Sequence, residues 1–377
     1  MADIIDANLA ADGDANGELG DYADFDNRFS THDDRFGIDR AAVTALPVIN
    51  ISPLFDGGDP TSRARVGQEI RDACINIGFF YITGHGVAQS ELDELVDWAH
   101  RFFALPADEK NKLHKDHSSG KFGYMPIGGL TPDANPDHAA DLKENFNMPR
   151  SALPGEPDGQ ARIIGDPQWP AADLLPGFES FMKAHIQKRV GITHALASGF
   201  ALSLGLEKGY FGASHRYHGG TCLLNYYPSL TLDKMARTQW SNSPHSDYGS
   251  FTLLSQDTLG GLQVRNAAGD WIGVPPVPDS FVVNIGELFA VWTNYLYTPS
   301  LHRAINVTGK ARVSVPYFVN AQGDTIVQCL ETCQGPDNPP LFAPVTAGDH
   351  TRALVEQSFR TGRPGVSVRT ARQFRKG

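Results

Sequence analysis

The order of apolar and polar positions divides the chain into a helix-rich first half and a strand-rich second half. Apolar residues recur at helical spacing over 61–77 and over about 177–204. After residue 218 short β-type runs dominate, separated by Gly, Pro, Asp and Asn. The seven runs are 222–227, 251–255, 262–265, 271–274, 281–285, 301–307 and 312–319. So many short strands close together predict a sandwich or jelly roll.

Residues typical of turns and helix caps predict further elements in the first half of the chain. Residues 46–51 and 79–82 predict two short strands. Ser90 with Asp93 predicts a capping box at the start of the helix that follows. The segment 115–170 is rich in Gly, Pro, Asp and Asn, and it predicts a long loop of the kind that often borders an active site.

These elements predict an α+β chain whose core is mainly β. We expect residues 1–40 to form an acidic flexible extension and residues 41–377 to form a single domain. The expected parts of that domain are a helix-rich N-terminal region with a loop at 45–165, a long helix at 177–204, a strand-rich core at 218–322 and a C-terminal helix at 345–362.

Charge is concentrated at the start of the chain. The formal net charge is −11, and residues 1–40 hold 11 of the 43 acidic residues but only 3 of the 32 basic ones. The remaining chain is therefore nearly balanced and offers no basic surface. We expect no nucleic-acid partner.

The sequence also lacks the usual signals of membranes and secretion. No run of eighteen or more apolar residues occurs, and the N-terminus is acidic rather than basic followed by an apolar stretch. The four cysteines are too few and too scattered for a disulfide framework. We expect a cytoplasmic protein with reduced thiols and no membrane partner.

Histidine and carboxylate side chains two residues apart can share one face of a strand and bind one metal ion. Composition alone predicts about 1.5 such H-x-[DE] pairs by chance, and three occur, so the motif by itself is weak. His32 lies in the acidic extension and His114 at a helix-to-loop boundary. Only His245-x-Asp247 lies among the predicted strands, and context therefore selects it.

A third ligand is expected at His302, which opens another β-type run. Ten residues later, Arg312-x-Ser314 places a guanidinium and a hydroxyl on one strand face, where together they can bind one carboxylate. His85 follows His32 at a comparable distance, but no R-x-S pair follows it at the matching place. The control motif at His32 therefore lacks the carboxylate-binding pair that accompanies His245-x-Asp247.

Two imidazoles and one carboxylate on one face of a metal suit non-haem Fe(II) and dioxygen chemistry. A catalytic zinc site is a weaker alternative, because no HExxH motif is present and zinc does not account for the R-x-S pair. For His245 or His302 taken alone, the alternative is a histidine that is buried in the β core with its hydrogen bonds satisfied and that binds no metal. The joint pattern with Asp247, Arg312 and Ser314 favours a metal site.

With these motifs, the chain resembles the iron- and 2-oxoglutarate-dependent dioxygenases of the isopenicillin N synthase-like group. The resemblance spans about residues 46–361, and Glu287 departs from it because Asp is more usual there. The runs that carry it are 46–51 (LPVINI), 78–86 (GFFYITGHG), 225–228 (NYYP), 245–254 (HSDYGSFTLL), 260–264 (GGLQV), 283–287 (VNIGE), 302–303 (HR) and the pair Arg312-x-Ser314.

The resemblance implies a cupin-like double-stranded β-helix with the helix-rich region packed around it. It implies Fe(II) bound by His245, Asp247 and His302, with O2 and the cosubstrate 2-oxoglutarate completing the reaction. It further implies that 2-oxoglutarate is bound by a set of four residues, which are Arg312, Ser314, Tyr227 and Asn225.

The implied reaction hydroxylates or otherwise oxidises a small-molecule metabolite by desaturation, demethylation or ring formation, and converts 2-oxoglutarate to succinate and CO2. Two alternatives stay open: an oxidase of the penicillin-forming type that needs no 2-oxoglutarate, and an inactive jelly-roll binding module. A role in secondary metabolism fits the group. Aromatic side chains proposed to line the substrate pocket are Tyr124, Phe146, Trp292 and Phe318.

Overall fold

A computed structural model provides the structure of the chain. The residues that it describes are 32–33, 38–39, 41, 43–118, 120, 122–128, 141–157, 167–230, 240–306 and 308–361.

Strands make up most of the second half and a few segments of the first. They are β1 (His32–Asp33), β2 (Ile38–Asp39), β3 (Val48–Asn50), β4 (Phe79–Thr83), β5 (Gly123–Met125), β6 (Glu144–Pro149), β7 (Gly219–Tyr227), β8 (Asn242–His245), β9 (Phe251–Gln256), β10 (Leu262–Arg265), β11 (Trp271–Gly273), β12 (Phe281–Ile285), β13 (His302–Ala304), β14 (Arg312–Asn320), β15 (Ile326–Val327) and β16 (Val345–Thr346).

The α-helices lie mainly before and after this β region. They are α1 (Pro60–Asn76), α2 (Gln89–Phe103), α3 (Ala107–Asn111), α4 (Phe178–Ser203), α5 (Gly212–His215), α6 (Glu287–Trp292) and α7 (Ala347–Thr361). Within the described part of the chain, no helix is both long enough and apolar enough to cross a membrane.

Two sheets form the core of the fold. The larger has eight strands in the order β3-β4-β12-β9-β14-β7-β6-β5, and the smaller has four in the order β11-β10-β13-β8. Pairing is antiparallel throughout both sheets except between β3 and β4. The structure thus confirms an α+β chain with a mainly β core.

Alternate residues of the large sheet face two different environments, because successive side chains of a strand point to opposite sides. On β14 the odd-numbered residues from Val313 to Val319 belong to the larger apolar cluster, together with residues of α1, α2 and α4. We call this side the helix face. The opposite side, which carries Arg312, Ser314 and Phe318, we call the inner face.

The inner face contains a small apolar core at one end. It brings together side chains of β4, β9 and β12 with side chains of the smaller sheet, and these are Phe79, Tyr81, Leu254, Val282, Leu262 and Val264. The two sheets therefore form a sandwich, and helices cover the outer side of the larger one.

A buried arginine joins α4 to the helix face. Pro316 has no N–H, and the ladder between β14 and β7 lacks register pairs at Val315 and Pro316. The Nη1 atom of Arg189 donates to the backbone oxygens of Val315 at 2.9 Å and of Leu253 at 3.0 Å. The side chain thus supplies donors where the strand cannot.

The pattern of apolar residues anticipated most of these elements, and the exceptions are informative. Each of the seven β-type runs of the second half contains a strand, although the run 301–307 is longer than β13, and β8, β15, β16 and α6 were not predicted. Within 115–170, strands β5 and β6 occupy part of the expected loop. In the acidic extension, β1 pairs with β2, while the other residues of 1–40 lie outside the described residues.

The predicted capping box of α2 is wrong. Ser90 lies inside the helix, and Ala88 is the N-cap residue without a side-chain bond. Asp279, distant in sequence, instead accepts a hydrogen bond from the Gln89 backbone N–H at 3.0 Å through its carboxylate. A tertiary contact therefore replaces the local cap, which no local pattern could have indicated.

Candidate metal centre

Three side chains that are distant in sequence converge between the two sheets. His245 ends β8 and His302 begins β13, and the two are cross-strand partners in the smaller sheet. Asp247 follows two residues after His245. The Oδ1 atom of Asp247 is 3.9 Å from the Nε2 atom of each histidine, and one ligand atom from each of the three residues lies within 4.8 Å of the others.

Backbone carbonyl groups orient both imidazole rings. The Nδ1 atom of His245 is 2.7 Å from the backbone oxygen of Ser243, and Nδ1 of His302 is 3.1 Å from that of Ser300. Because a carbonyl oxygen only accepts, Nδ1 carries the hydrogen in each neutral ring. This leaves the lone pair of Nε2 directed at the centre, as a metal ligand requires.

The carboxylate of Asp247 is held from the side away from the histidines. Its Oδ2 atom accepts hydrogen bonds from Thr252 Oγ1 at 2.5 Å and from Asn284 Nδ2 at 2.7 Å. These two side chains were not predicted as site residues. A signal for one was present, since Asn284 is a polar residue within the otherwise apolar strand β12.

Burial and mutual charge set the protonation states. Burial, followed by the neighbouring His302, lowers the pKa of His245 to about 3. Burial alone would raise the pKa of Asp247, but the two histidines and the hydrogen bonds from Asn284 and Thr252 outweigh it, so the pKa falls below its usual value. At neutral pH these effects favour a neutral His245 and a charged carboxylate, which are the metal-binding forms.

The start of α6 fixes the loop that carries Asp247. Glu287 is buried, and its carboxylate accepts hydrogen bonds from Ser246 Oγ at 2.7 Å and Tyr295 Oη at 3.2 Å. Its backbone N–H donates to the backbone oxygen of Asp247 at 2.8 Å. A Cβ at Gly286 would lie 2.2 Å from the backbone oxygen of Gly249, so only glycine permits this close contact. The Glu at 287 therefore participates in a complete hydrogen-bond network.

A second group lies on the inner face at the start of β14. Arg312 is 1% exposed, and its guanidinium donates to the Gly260 backbone oxygen and, at 3.3 Å, to Gln256 Oε1. Its Nη1 atom is buried without a hydrogen-bond partner among the described residues. Such a donor normally has a partner in the functional state, and a carboxylate is the bidentate partner that guanidinium prefers.

The three other predicted cosubstrate residues surround Arg312. In the register of β14 and β7, Arg312 lies opposite Tyr227 and Ser314 lies opposite Asn225. The Arg312 guanidinium carbon is 4.8 Å from the centroid of the Tyr227 ring, and Tyr227 Oη is 3.3 Å from Ser314 Oγ. Asn225 is buried and its Oδ1 atom has no partner among the described residues. The structure brings all four residues together.

The residues present fit both Fe(II) and 2-oxoglutarate, the two groups that the sequence implies. Two oriented imidazoles and one carboxylate are the donor set of non-haem Fe(II) sites, and a guanidinium with an unpaired N–H fits the distal carboxylate of a diacid. A hydroxyl beside that guanidinium adds a further hydrogen-bonding group for the same carboxylate.

Of the four aromatic side chains predicted to line a substrate pocket, only Phe318 lies on the inner face. It is opposite Thr252 in the ladder and is partly exposed. Tyr124 and Phe146 instead lie in the core on the helix face, where both contact Phe102. Trp292 packs on the helix side against Phe211, Phe289 and His215. Period-two alternation sends residue 146 to the opposite side from 145 and 147.

A surface depression of about 430 Å³ also exists on the helix side of the large sheet rather than on its inner face. It lies between α2 and α4, where Glu91 forms an ion pair with Lys188 and shares a hydrogen bond of 2.8 Å with His185 Nδ1. Glu91, Lys188 and His185 thus all have partners, so these residues lack the unpaired groups that distinguish the inner face.

Two family models match the chain. One, described as the N-terminal part of non-haem dioxygenases in morphine synthesis, matches residues 46–172. The other, described as the 2OG-Fe(II) oxygenase superfamily, matches residues 219–321, which contain all seven predicted metal and cosubstrate residues.

Similar proteins match most of the chain. The 2-oxoglutarate-Fe(II) type oxidoreductase hxnY of Emericella nidulans is 32% identical over 84% of this chain and 91% of its own length. A homoarginine-6-hydroxylase of Oryza sativa is 34% identical over 84% and 98%. The crystal structure of a dioxygenase for auxin oxidation in rice has a TM-score of 0.65 and 28% identity, and the match covers 88% of this chain and all of that one.

The chain belongs to the 2OG-Fe(II) oxygenase superfamily, in its isopenicillin N synthase-like group. It is an oxidoreductase that uses Fe(II), 2-oxoglutarate and O2 to oxidise a small-molecule metabolite, and the reaction converts 2-oxoglutarate to succinate and CO2. The relatives favour this function over the oxidase without 2-oxoglutarate and over the inactive binding module.

Proposed function

We propose that His245, Asp247 and His302 hold Fe(II) in this chain and that Arg312 and Ser314 bind the distal carboxylate of 2-oxoglutarate. The observation that carries the proposal is the convergence of three ligand atoms within 4.8 Å on the same sandwich as a buried arginine with an unpaired N–H. We also assign Tyr227, which lies opposite Arg312 in the ladder, and Asn225, which lies opposite Ser314, to the cosubstrate site.

Iron supplies the redox chemistry that couples O2 and 2-oxoglutarate to oxidation of the substrate. The protein contributes orientation and charge. Carbonyl groups at Ser243 and Ser300 fix the histidine rings, and Thr252 with Asn284 fixes the Asp247 carboxylate, so that the ligand atoms need no rearrangement on binding.

Arg312 and Tyr227 have different roles in the proposed cosubstrate site. Arg312 is held by Gly260 and Gln256, which leaves its remaining N–H free to pair with a carboxylate. Burial of the pair removes competing water and strengthens the charge-assisted hydrogen bonds. The Tyr227 ring lies against the guanidinium and limits its movement.

Anaerobic addition of Fe(II) and 2-oxoglutarate tests this assignment. We expect a weak visible charge-transfer band from the protein with both components and no band when either is omitted. Under air, succinate should form only when 2-oxoglutarate is present. Succinate-free turnover of a substrate without 2-oxoglutarate would contradict the assignment and favour the oxidase.

We further propose a cytoplasmic role in secondary metabolism, with a small molecule rather than a nucleic acid as the partner. One relative is named for the hydroxylation of homoarginine, a small molecule, which supports a role in metabolism. Four buried cysteines without a disulfide support a reducing compartment, and the net charge of −11 supports a non-nucleic-acid partner. Fractionation of cells that express the chain tests the compartment.

A further inference from the structure

A row of amide side chains crosses the inner face beside the cosubstrate residues. On β6, Asn145 lies opposite Asn225 and Asn147 lies opposite Leu223. The next strand continues these two rows with Ser314 and Pro316 respectively, because β14 pairs with β7. The amides of β6 therefore lie on the same side of the sheet as the proposed 2-oxoglutarate site.

Each of these amides has unused hydrogen-bonding capacity. The Oδ1 atoms of Asn145, Asn147 and Asn225 are all buried, and none has a hydrogen-bond partner among the described residues. Asn145 is 2% exposed and Asn225 is 4% exposed, so neither oxygen is exposed to bulk solvent. Several such acceptors on one surface are rare in native proteins, and a bound molecule that donates hydrogen bonds accounts for them.

The surroundings of the amides are apolar and nearly uncharged. Leu223 and Phe318 lie on the same face and keep partial exposure, unlike the fully buried residues of the helix face. Among the described inner-face residues of β6, β7 and β14, Arg312 is the one charged side chain, and the proposed cosubstrate uses it. Recognition by the amide row therefore suits an uncharged polar group next to a flat apolar portion.

We propose that the amide row of Asn145 and Asn147 is a substrate-recognition site for a neutral N–H group, such as a cyclic amide, imide or urea. This inference rests on the proposed function, because it takes the inner face as the active site. A side-chain amide can accept from a ligand N–H and donate to the adjacent carbonyl, so one amide can pair with the whole –CO–NH– unit. Phe318 and Leu223 then contact its apolar edge.

Matched pairs of small molecules test the proposal on the full chain loaded with Fe(II) and 2-oxoglutarate. Succinimide is compared with N-methylsuccinimide, and uracil with 1,3-dimethyluracil, at up to millimolar concentration. The readouts are perturbation of the anaerobic charge-transfer band and stimulation of succinate release. We expect each N–H compound to act at a concentration at least about tenfold lower than its methylated partner, because methylation removes the donor and leaves buried oxygens unpaired.

Two variants link the preference to the row. Asn147→Leu should abolish the difference between the members of each pair, whereas Asn147→Asp keeps the acceptor oxygens and should retain it. Each variant is compared at its own saturating Fe(II) and 2-oxoglutarate. The exposed Asn111→Leu serves as the matched control and should retain the full difference.

Several outcomes would overturn the proposal. They are equal effects of N–H and N-methyl compounds, no effect of any imide or amide, and a preference that persists in Asn147→Leu. Loss of the charge-transfer band in the unaltered protein, before any test compound is added, would instead contradict the proposed function itself. The two failures are therefore distinguishable.

Discussion

Two buried arginines on opposite faces of the large sheet differ in how completely their hydrogen-bonding capacity is used. On the helix face, Arg189 donates from all three guanidinium nitrogens, to His185, to Ser255 and to two backbone oxygens. On the inner face, Arg312 leaves Nη1 unpaired. Both are almost inaccessible to solvent, so burial alone does not distinguish the arginine whose hydrogen-bonding capacity is filled from the one that retains an unpaired nitrogen.

The same contrast extends to the two faces as a whole. The helix face is continuous apolar core, and its polar groups, such as His215 and His218, have partners. The inner face holds the His–Asp–His group and the unpaired amides. Along the described strands of the large sheet, unused hydrogen-bonding capacity, rather than charge or depth, distinguishes the inner face, where we propose that ligands bind.

Removal of a proposed metal ligand should have the largest effect on the function that we assign to the inner face. His245→Ala should abolish the charge-transfer band and succinate formation, because the Fe(II) site loses one of its three protein ligands. The fold should persist, since the ring belongs to neither apolar cluster of the core. Band intensity, succinate release and thermal unfolding measure these effects.

The control for this variant is His114→Ala, which disrupts another H-x-D pair of the same chain. That pair lies at the surface, where His114 and Asp116 are 3.5 Å apart. Activity should be retained. Normal iron binding by His245→Ala would require withdrawal of the ligand assignment.

Paired substitution of the two arginines tests the contrast directly. Arg312→Lys should raise the KM for 2-oxoglutarate about ten- to a hundredfold, because an ammonium cannot reproduce the bidentate charge-assisted contact. Arg189→Met should leave that KM unchanged and lower the free energy of unfolding by about 2–5 kcal/mol, because the Leu253 and Val315 oxygens lose their donor.

Steady-state kinetics and denaturant unfolding separate these two results. If Arg189→Met altered the KM as strongly as Arg312→Lys, the division of the sheet into a structural and a ligand-binding face would be wrong.

Thr252 on the inner face is not a proposed ligand itself, but it orients one by donating a hydrogen bond to Asp247, and its substitution tests that supporting role. Thr252→Val removes one of two hydrogen bonds to Asp247 Oδ2 and should weaken Fe(II) binding about ten- to a hundredfold. Thr293→Val removes a buried hydroxyl that donates to the Phe289 oxygen at 2.8 Å on α6. Iron titration should detect a change only in the first variant.

A smaller effect is expected on the free energy of unfolding at low pH, from His215 on the helix face. Burial lowers the pKa of His215 to about 4. Since its unfolded pKa is about 6.5, the unfolded state binds more protons in this interval, and stability is lost as pH falls from about 6.5 towards 4. The contribution of this residue is at most about 1.4 kcal/mol per pH unit.

Denaturant unfolding of His215→Gln between pH 4 and 7 measures this contribution. The variant should show a shallower pH dependence than the unaltered chain. Parallel curves would show that His215 does not titrate differently in the folded state.

The sequence predicted the elements and motifs whose signals are local. Seven β-type runs and the long helix were recognisable from periodicity, and His245, Asp247 and His302 from the motif and its context. The prediction of α2's capping box failed because Asp279, far away in the chain, contacts that helix end. Strand β8, Asn242–His245, was missed because Pro244 interrupts its β-type pattern.

Side-chain direction was the main feature that composition could not supply. Phe146 is a large aromatic residue between two asparagines, and aromatic character alone suggested a pocket. Only the strand register shows that Phe146 faces the helices, while Asn145 and Asn147 lie on the inner face. Likewise, the partners of Asp247 on β9 and β12 follow from pairing of strands that are distant in sequence.

The placement of Asn145 and Asn147 on β6 has an evolutionary consequence. The proposed iron and cosubstrate residues come from β7, β8, β13, β14 and the loop after β8, whereas β6 precedes α4 and lies near the edge of the large sheet. If Asn145 and Asn147 select the substrate as proposed, mutations in β6 diversify substrate choice while the proposed iron and cosubstrate residues are inherited unchanged. A lineage with this architecture would then acquire new substrates through a few exchanges in one short strand.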